Sequence, residues 1–132
     1  NLITGEGMPE NHYNAIILTQ VLNVLPDMEA ALTNVCAALV TGGVILATLP
    51  AITQVSRYDM DRWGDYWRVT DKAAQLLADK YIPDCNTKIS AYGNHLTAIA
   101  ALTGLAAEEL TKTELDYFDP DYQILIGMRA KK

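Results

Sequence analysis

The apolar residues of the chain form short continuous runs that alternate with stretches of helical periodicity. The first run, Ala15–Leu18, has no polar interruption, which is typical of a strand buried on both faces of a sheet. A stripe at helical spacing follows it, formed by Met28, Leu32, Val35 and Leu39. Asp27 stands at the N-cap position, and Gly42-Gly43 is typical of a helix end in the left-handed region. Together with the next apolar run, which ends at Pro50, this pattern predicts a βαβ unit.

The second half of the chain continues the alternation. A helix over 70–81 begins at Thr70, and its predicted apolar face consists of Ala73, Leu76, Leu77 and Tyr81. A helix over 94–110 begins at Asn94, with buried positions predicted at Leu96, Ile99, Ala100 and Leu102. Thr111 and Glu114 have capping-box spacing and predict one more short turn. The pattern therefore predicts a single α/β domain over 1–132, with three helices and about four strands, over 14–20, 43–49, 87–92 and 121–130.

Composition narrows this picture by excluding classes of partner. The net charge of -6 disfavours a nucleic-acid backbone or an anionic membrane surface. The first residues lack the pattern of a signal peptide, and no apolar run has the roughly 20 residues needed to cross a bilayer. Cys36 and Cys85 lack ligand-like spacing with His12 or His95, which predicts two free buried thiols in a cytoplasmic protein. A disulfide or a metal site is the alternative.

One polar stretch, Arg57–Thr70, is rich in rings and reads RYDMDRWGDYWRVT. In one interpretation it is a lid, whose tryptophans are buried on the core and whose arginines pair with local aspartates. The three arginines and three aspartates sum to zero charge, which favours that interpretation. In the other interpretation its rings and cations contact a bound substrate that is flat or anionic. The residues that would do so are Arg62, Trp63, Tyr66, Trp67 and Arg68.

These motifs, in this order, resemble the C-terminal half of a class I S-adenosylmethionine-dependent methyltransferase. The matching features are the strand YNAII, the acidic helix start after Pro26, the Gly-Gly turn and the last strand in DPDYQILIGMRAKK. The aromatic stretch resembles a run found in a bacterial subset of these enzymes. The resemblance implies a Rossmann-like sheet in the spatial order 14–20, 43–49, 121–130, 87–92, with 121–130 antiparallel to the others.

The resemblance implies S-adenosylmethionine as cofactor, but much of the expected site is missing from these residues. No Gly-x-Gly-x-Gly loop is present, and no acidic residue follows a second strand to hold the ribose. The resemblance assigns cofactor contacts to Asn1, Thr19, Gln20 and Val21. Gln20 has the alternative of being a solvated strand end. No catalytic residue is identified, since His95 at a helix start is more typical of a surface or capping residue.

Two functions stay open. The first is a partial methyltransferase domain, inactive alone, whose missing half comes from another chain or copy; we expect no cofactor binding by the isolated monomer. The second is a non-catalytic interaction or ligand-binding module. In either case strand 14–20 lacks a neighbour and one sheet face lacks helices, which 94–110 would cover only in part. We therefore expect a homodimer through strand 14–20 or the exposed sheet face.

Overall fold

The computed structural model describes all 132 residues and contains one four-stranded sheet. The strands are β1 (Tyr13–Thr19), β2 (Leu39–Pro50), β3 (Asn86–Tyr92) and β4 (Leu125–Lys131). The helices are α1 (Met28–Ala38), α2 (Arg57–Met60), α3 (Asp71–Tyr81), α4 (His95–Thr103) and α5 (Lys112–Asp116), with 3-10 turns at Leu22–Val24 and Ala107–Glu109. Besides the three predicted helices, a short helix forms at α2, and the short turn predicted from the capping box of Thr111 and Glu114 is the helix α5.

The strand order is β1-β2-β4-β3, as the sequence predicts. β1 is parallel to β2, and β4 is antiparallel to both of its neighbours. β4 begins at Leu125 rather than near 121, because the preceding residues form a turn in which the Tyr122 amide donates to the Asp119 carbonyl. β1 lies at the edge of the sheet and pairs only with β2.

The predicted start of α1 is confirmed, but its predicted end is wrong. The Asp27 carboxylate accepts a hydrogen bond of 2.9 Å from the Ala30 amide, as an N-cap does. The helix ends at Ala38, and the chain enters β2 directly in an extended conformation at Leu39. Gly42 does adopt the left-handed region, at φ 84°, but within the irregular first part of β2. The glycines thus bend a strand and do not cap the helix.

The two faces of the sheet differ in what covers them. The covered face packs against α1 and α3, and its buried strand residues are Ile45, Ala47, Leu49, Ile126, Met128 and Ala130. The open face carries the alternate residues, among them Ile17, which is 69% exposed, Leu46 and Tyr92. The continuous apolar run of β1 predicts burial on both faces, but only Ile16 and Leu18 pack on the core. α1 and α3 share one face, as predicted.

The predicted face of α3 is confirmed in part, and that of α4 only at Ala100. α3 begins at Thr70 as predicted, and Ala73, Leu77 and Tyr81 pack against the core, but its fully buried residues are Ala74 and Ala78, and Leu76 is 67% exposed. Alanines allow the helix to approach the sheet closely, which turns the larger leucine outward. α4 begins with the predicted Asn94 capping box but ends at Thr103, and it buries only Ala98 and Ala100.

The three large residues predicted to be buried on α4 are at least 40% exposed: Leu96, Ile99 and Leu102. The main helix contact of α4 is with α5, and the exposure of Ile17 and Leu46 shows that this insertion leaves the open face uncovered there. None of the helices combines the length and hydropathy that crossing a bilayer requires.

Candidate functional site

The carboxyl end of β1 is held in an unusual backbone conformation. Gln20 has a φ of 54°, in the left-handed region that residues with a Cβ seldom adopt. Its amide donates to both the carbonyl and the hydroxyl oxygen of Thr48, at 3.1 and 3.2 Å. These bonds, from the end of the neighbouring strand, hold the conformation. The chain then leaves the sheet into the 3-10 turn Leu22–Val24, which buries Leu22 and Asn23.

A buried carboxylate fixes the aromatic segment over this turn. Both Asp65 oxygens accept hydrogen bonds from the Arg68 guanidinium, each at 2.7 Å, in a bidentate pair. Asp65 also accepts from the Ser56 amide at 2.9 Å and from the Asn23 side-chain amide at 3.4 Å. The hydrogen bonds from Arg68 hold the pKa of Asp65 well below its usual range, against the opposing effect of burial. The carboxylate is therefore ionised at neutral pH.

Main-chain hydrogen bonds complete the attachment. The amides of Tyr66 and Trp67 both donate to the Asn23 carbonyl, at 2.9 and 3.2 Å. The indole Nε1 of Trp67 donates to the Leu25 carbonyl at 2.8 Å. Gly64, at φ 98°, has a backbone conformation that residues with a Cβ rarely adopt, and a Cβ there would lie 2.4 Å from the Tyr66 ring, which would have to move. The segment is thus tied by polar bonds to the end of β1.

The predicted burial of the tryptophans is wrong. Trp63 is 51% exposed and Trp67 is 40% exposed, because polar bonds rather than apolar packing attach the segment. The predicted pairing of an arginine with a local aspartate is confirmed by Arg68 and Asp65. Arg62 makes no ion pair; its guanidinium lies 3.5 Å from the centre of the Tyr58 ring. Tyr58 lies in α2 and Arg62 in the turn that follows it, where the Arg62 guanidinium also donates to the Tyr58 carbonyl at 2.9 Å.

The proposed acceptor-contacting residues therefore divide into two groups. Arg68 is fully engaged, since it also donates to the Gln54 carbonyl at 2.7 Å. The side chains of Arg62, Trp63, Tyr66 and Trp67 face solvent to a large extent. Beside them, a groove of about 600 Å³ separates the loop 53–58 from α4 and has Leu102 in its wall. Exposed rings and an apolar groove suit a flat or apolar acceptor.

The four residues assigned to the cofactor do not surround one cavity. Asn1 caps a local turn, where its side-chain oxygen accepts from the amides of Ile3 and Thr4. Thr19 lines a groove on the open face, and Val21 packs against the core. Gln20 remains at the strand end beside Thr48. These four residues therefore do not form a complete S-adenosylmethionine pocket by themselves.

Asn23 joins the β1 end to the aromatic segment and is not among the residues predicted from the sequence. Its carbonyl receives two amides and its side chain reaches Asp65, while its side-chain oxygen has no partner. The signal was a single amide inside the apolar run VLNVL, since a buried polar residue requires hydrogen-bond partners. The contact of Ser56 with Asp65 could not be predicted in this way, because Ser56 makes it through its backbone amide.

Other candidate groups have structural partners. The His95 ring packs edge-on against Tyr122, with centroids 5.0 Å apart. Asp116 pairs with Lys112, and the Asp119 side chain accepts from the Asp121 amide. No group of three or more histidines, cysteines and carboxylates is placed to hold a metal ion.

The two cysteines, distant in sequence, meet in the core. The sulfur atoms of Cys36 and Cys85 lie 3.2 Å apart, both side chains are buried, and no disulfide joins them. Burial, together with the neighbouring Cys36 thiol, raises the pKa of Cys85 to about 12. The thiol is therefore protonated at neutral pH and packs as a small apolar group.

Solved structures of S-adenosylmethionine-dependent methyltransferases share this fold. One from Archaeoglobus fulgidus has a TM-score of 0.61 at 12% identity, over 100% of this chain and 65% of that one. The plantazolicin methyltransferase BamL, solved with S-adenosylhomocysteine, has a TM-score of 0.63 at 10% identity, over 100% and 57%. The phosphoethanolamine N-methyltransferase 2 of Haemonchus contortus, solved with S-adenosylmethionine, has a TM-score of 0.60 at 13% identity, over 95% and 34%.

No protein-family model and no curated protein sequence matches the chain. The chain spans about two thirds or less of the length of these methyltransferases. At 10–13% identity the likeness shows the fold, and this fold is that of a class I, Rossmann-like methyltransferase.

Proposed function

We propose that these residues form the acceptor-side half of an S-adenosylmethionine-dependent methyltransferase domain, of the bacterial subset with the RYDMDRWGDYWR motif. On its own this half is inactive. Activity requires a complementary half that carries the glycine-rich loop, from another part of the polypeptide, another chain or another copy. The observation that supports this most directly is the order β1-β2-β4-β3 with β4 reversed, which extends over a chain that matches methyltransferases along its whole length.

The location of the site follows from the topology. In open α/β sheets, ligands bind outside the carboxyl ends of the strands, where the strand order reverses. Here the β1 end, with Gln20 held by Thr48, supplies one wall of that crevice. β1 is the sheet edge, so the other wall must be contributed by the complementary half.

The residues of this chain would position the methyl acceptor. S-adenosylmethionine, when bound, supplies an electrophilic methyl group, and much of the rate enhancement comes from proximity and orientation. The exposed rings of Trp63, Tyr66 and Trp67 would stack on an acceptor, and Arg62 would pair with an anionic group. Asp65 and Arg68 act through position, since they fix the segment over the β1 end.

Calorimetric titration with S-adenosylhomocysteine tests this proposal. We expect no measurable heat of binding for the monomeric 132-residue chain, because one wall cannot enclose the ligand. A complete class I methyltransferase titrated in the same buffer serves as the positive control. Micromolar binding by the monomer would overturn the proposal, since the affinity would then lie in this half.

A non-catalytic homodimeric module is the second candidate, and the exposure of Ile17 at the edge strand favours it. Two copies would associate through β1 or the adjoining open face and so pair or bury that edge. A stable dimer in sedimentation at micromolar concentration, without affinity for S-adenosylhomocysteine in either state, supports this candidate. The two free thiols agree with a cytoplasmic location, which belongs to the proposal in both versions.

A further inference from the structure

The open face of the sheet is divided into an apolar half and a cationic half. The strand register aligns Ile17 with Leu46, then Arg129, then Lys88 in one row across the sheet. A neighbouring row brings Val44 next to Lys131. In these two rows β1 and β2 present aliphatic side chains, while β4 and β3 present ammonium and guanidinium groups. At the other end of the face, β4 and β3 present Gly127, Ser90, Leu125 and Tyr92.

The cationic half carries no compensating charge. Lys88, Arg129 and Lys131 are exposed, and none of them makes an ion pair or a side-chain hydrogen bond. The strand residues that alternate onto this face include no aspartate or glutamate. This local excess of positive charge is opposite in sign to the net charge of the chain, which is -6.

We propose that the open face docks an amphipathic α-helix whose apolar stripe is flanked by carboxylates. The stripe packs on Ile17, Val44 and Leu46, and the carboxylates pair with Arg129, Lys131 and Lys88. This inference deepens the proposed function, because it specifies the chemistry of the element by which the complementary half attaches. A row of unpaired cations beside exposed aliphatic residues is the complement of such a helix.

The dimensions of a helix agree with this face. Residues two apart in a strand, such as Arg129 and Lys131, are separated by roughly 6.8 Å. Residues four apart in a helix are separated by roughly 6 Å along its axis, so carboxylates at i and i+4 can reach both cations. A groove of about 490 Å³ runs over the middle of the sheet, where Gly127 offers no side chain. A helix of about 10 Å diameter covers about two strands, which matches the apolar half.

A second copy of the same face is a poorer occupant. Two copies packed face on face would bring six unpaired cations into one interface, where they would repel one another or lose their hydration against the apolar residues of the partner copy. Association through the β1 edge does not require this contact. The helix is therefore the occupant that uses both halves of the face.

Two designed peptides test the proposal on the intact chain. Both are 18-residue helices with the same leucine stripe; one carries glutamates along its flank and the other carries glutamines at the same positions. Fluorescence polarisation at low salt should show tighter binding of the glutamate peptide by about 10-fold, as expected for two or three exposed ion pairs. The difference should shrink as salt is raised.

Charge-reversal variants locate the binding surface. Lys88→Glu combined with Arg129→Glu should remove the preference for the glutamate peptide. Lys72→Glu combined with Lys80→Glu reverses the same number of charges on α3 and should leave the preference intact. Circular dichroism establishes that each variant is folded.

Equal affinity for the two peptides, or equal loss in the two double variants, would overturn the proposal. So would the absence of peptide binding, including the case in which the chain dimerises through this face. The outcome is separable from that of the proposed function, because no cofactor enters the peptide assay. Micromolar binding of S-adenosylhomocysteine by the monomer would overturn the half-site proposal and leave the docking result standing.

Discussion

The two faces of the sheet are built from the same four strands but have opposite surroundings. On the covered face Ile45, Leu49 and Ile126 are fully buried under α1 and α3. On the open face Ile17 and Leu46 remain exposed beside unpaired cations. The covered face therefore supplies the core of the fold, whereas the open face has the mixture of exposed apolar and charged residues that interfaces have.

This difference explains how the sheet can form with one face open. Burial of apolar area is worth roughly 25 cal/mol per Å², and a single continuous core supplies it here. A sheet with one covered face and one open face is stable when the core on one side is sufficient. The proposed complementary half would bury the aliphatic residue of β1 that stays exposed, Ile17.

The largest expected effect is a difference in the free energy of unfolding between two matched substitutions, one on the covered side of the sheet and one on its open face. Leu32 is fully buried under the covered face, so Leu32→Ala should lower the free energy of unfolding by about 3 kcal/mol. Leu46→Ala removes the same atoms from the open face and should cost less than about 1 kcal/mol. Urea unfolding followed by circular dichroism measures both. Equal losses would mean that another chain covers the open face.

A smaller effect is expected where polar bonds replace apolar packing. Asp65→Asn breaks the bidentate pair and leaves the Arg68 guanidinium without its partner, which should cost about 2 kcal/mol. Asp61→Asn alters an exposed carboxylate of the same segment that makes no ion pair, and it should leave the free energy of unfolding nearly unchanged. Loss of the pair should also release the aromatic segment, which faster iodide quenching of tryptophan fluorescence would detect.

The same residue gives a pH dependence of known sign. The pKa of Asp65 is lower in the folded state than its value near 4 in the unfolded chain. Its stabilisation is therefore complete above about pH 4 and is lost as the pH falls below that value. Asp65→Asn should flatten unfolding free energy against pH between about pH 4 and 2, relative to Asp61→Asn. Parallel curves for the two variants would contradict the assignment of this pair.

The strand order was predictable, because continuous apolar runs and one family resemblance determine it together. The caps were predictable too, since Asp27, Thr70 and Asn94 act over three residues of sequence. The buried face of α3 was predicted in part, since Ala73, Leu77 and Tyr81 do pack on the core, whereas the leucines of α4 were placed wrongly. Hydrophobic periodicity assigns the largest residues to the inside, whereas the residues buried most deeply on both helices are alanines.

The candidate site was predicted only in part, for a different reason. The pairing of Asp65 with Arg68 is local in sequence and could be expected from the charge pattern. The contacts of Asn23 with residues 65–67 span more than forty positions and depend on how the segment folds over the β1 end. The exposure of the tryptophans follows from those polar bonds, which composition does not reveal.

The smallest expected effect on stability concerns a thiol of the covered side. Cys85 lies in the core, and its neighbour Cys36 packs against it at 3.2 Å. Cys85→Ala leaves a small cavity and should cost about 1 kcal/mol.

Because burial raises the pKa of the Cys85 thiol to about 12, iodoacetamide at pH 8.5 should modify it at least about 10-fold more slowly in the folded than in the urea-unfolded protein. Peptide-resolved mass spectrometry measures each rate. The variant Lys88→Cys places a thiol on the open face and should react as fast folded as unfolded. If Cys85 and this introduced cysteine react alike, the two sides of the sheet do not differ in the way that the rest of the molecule indicates.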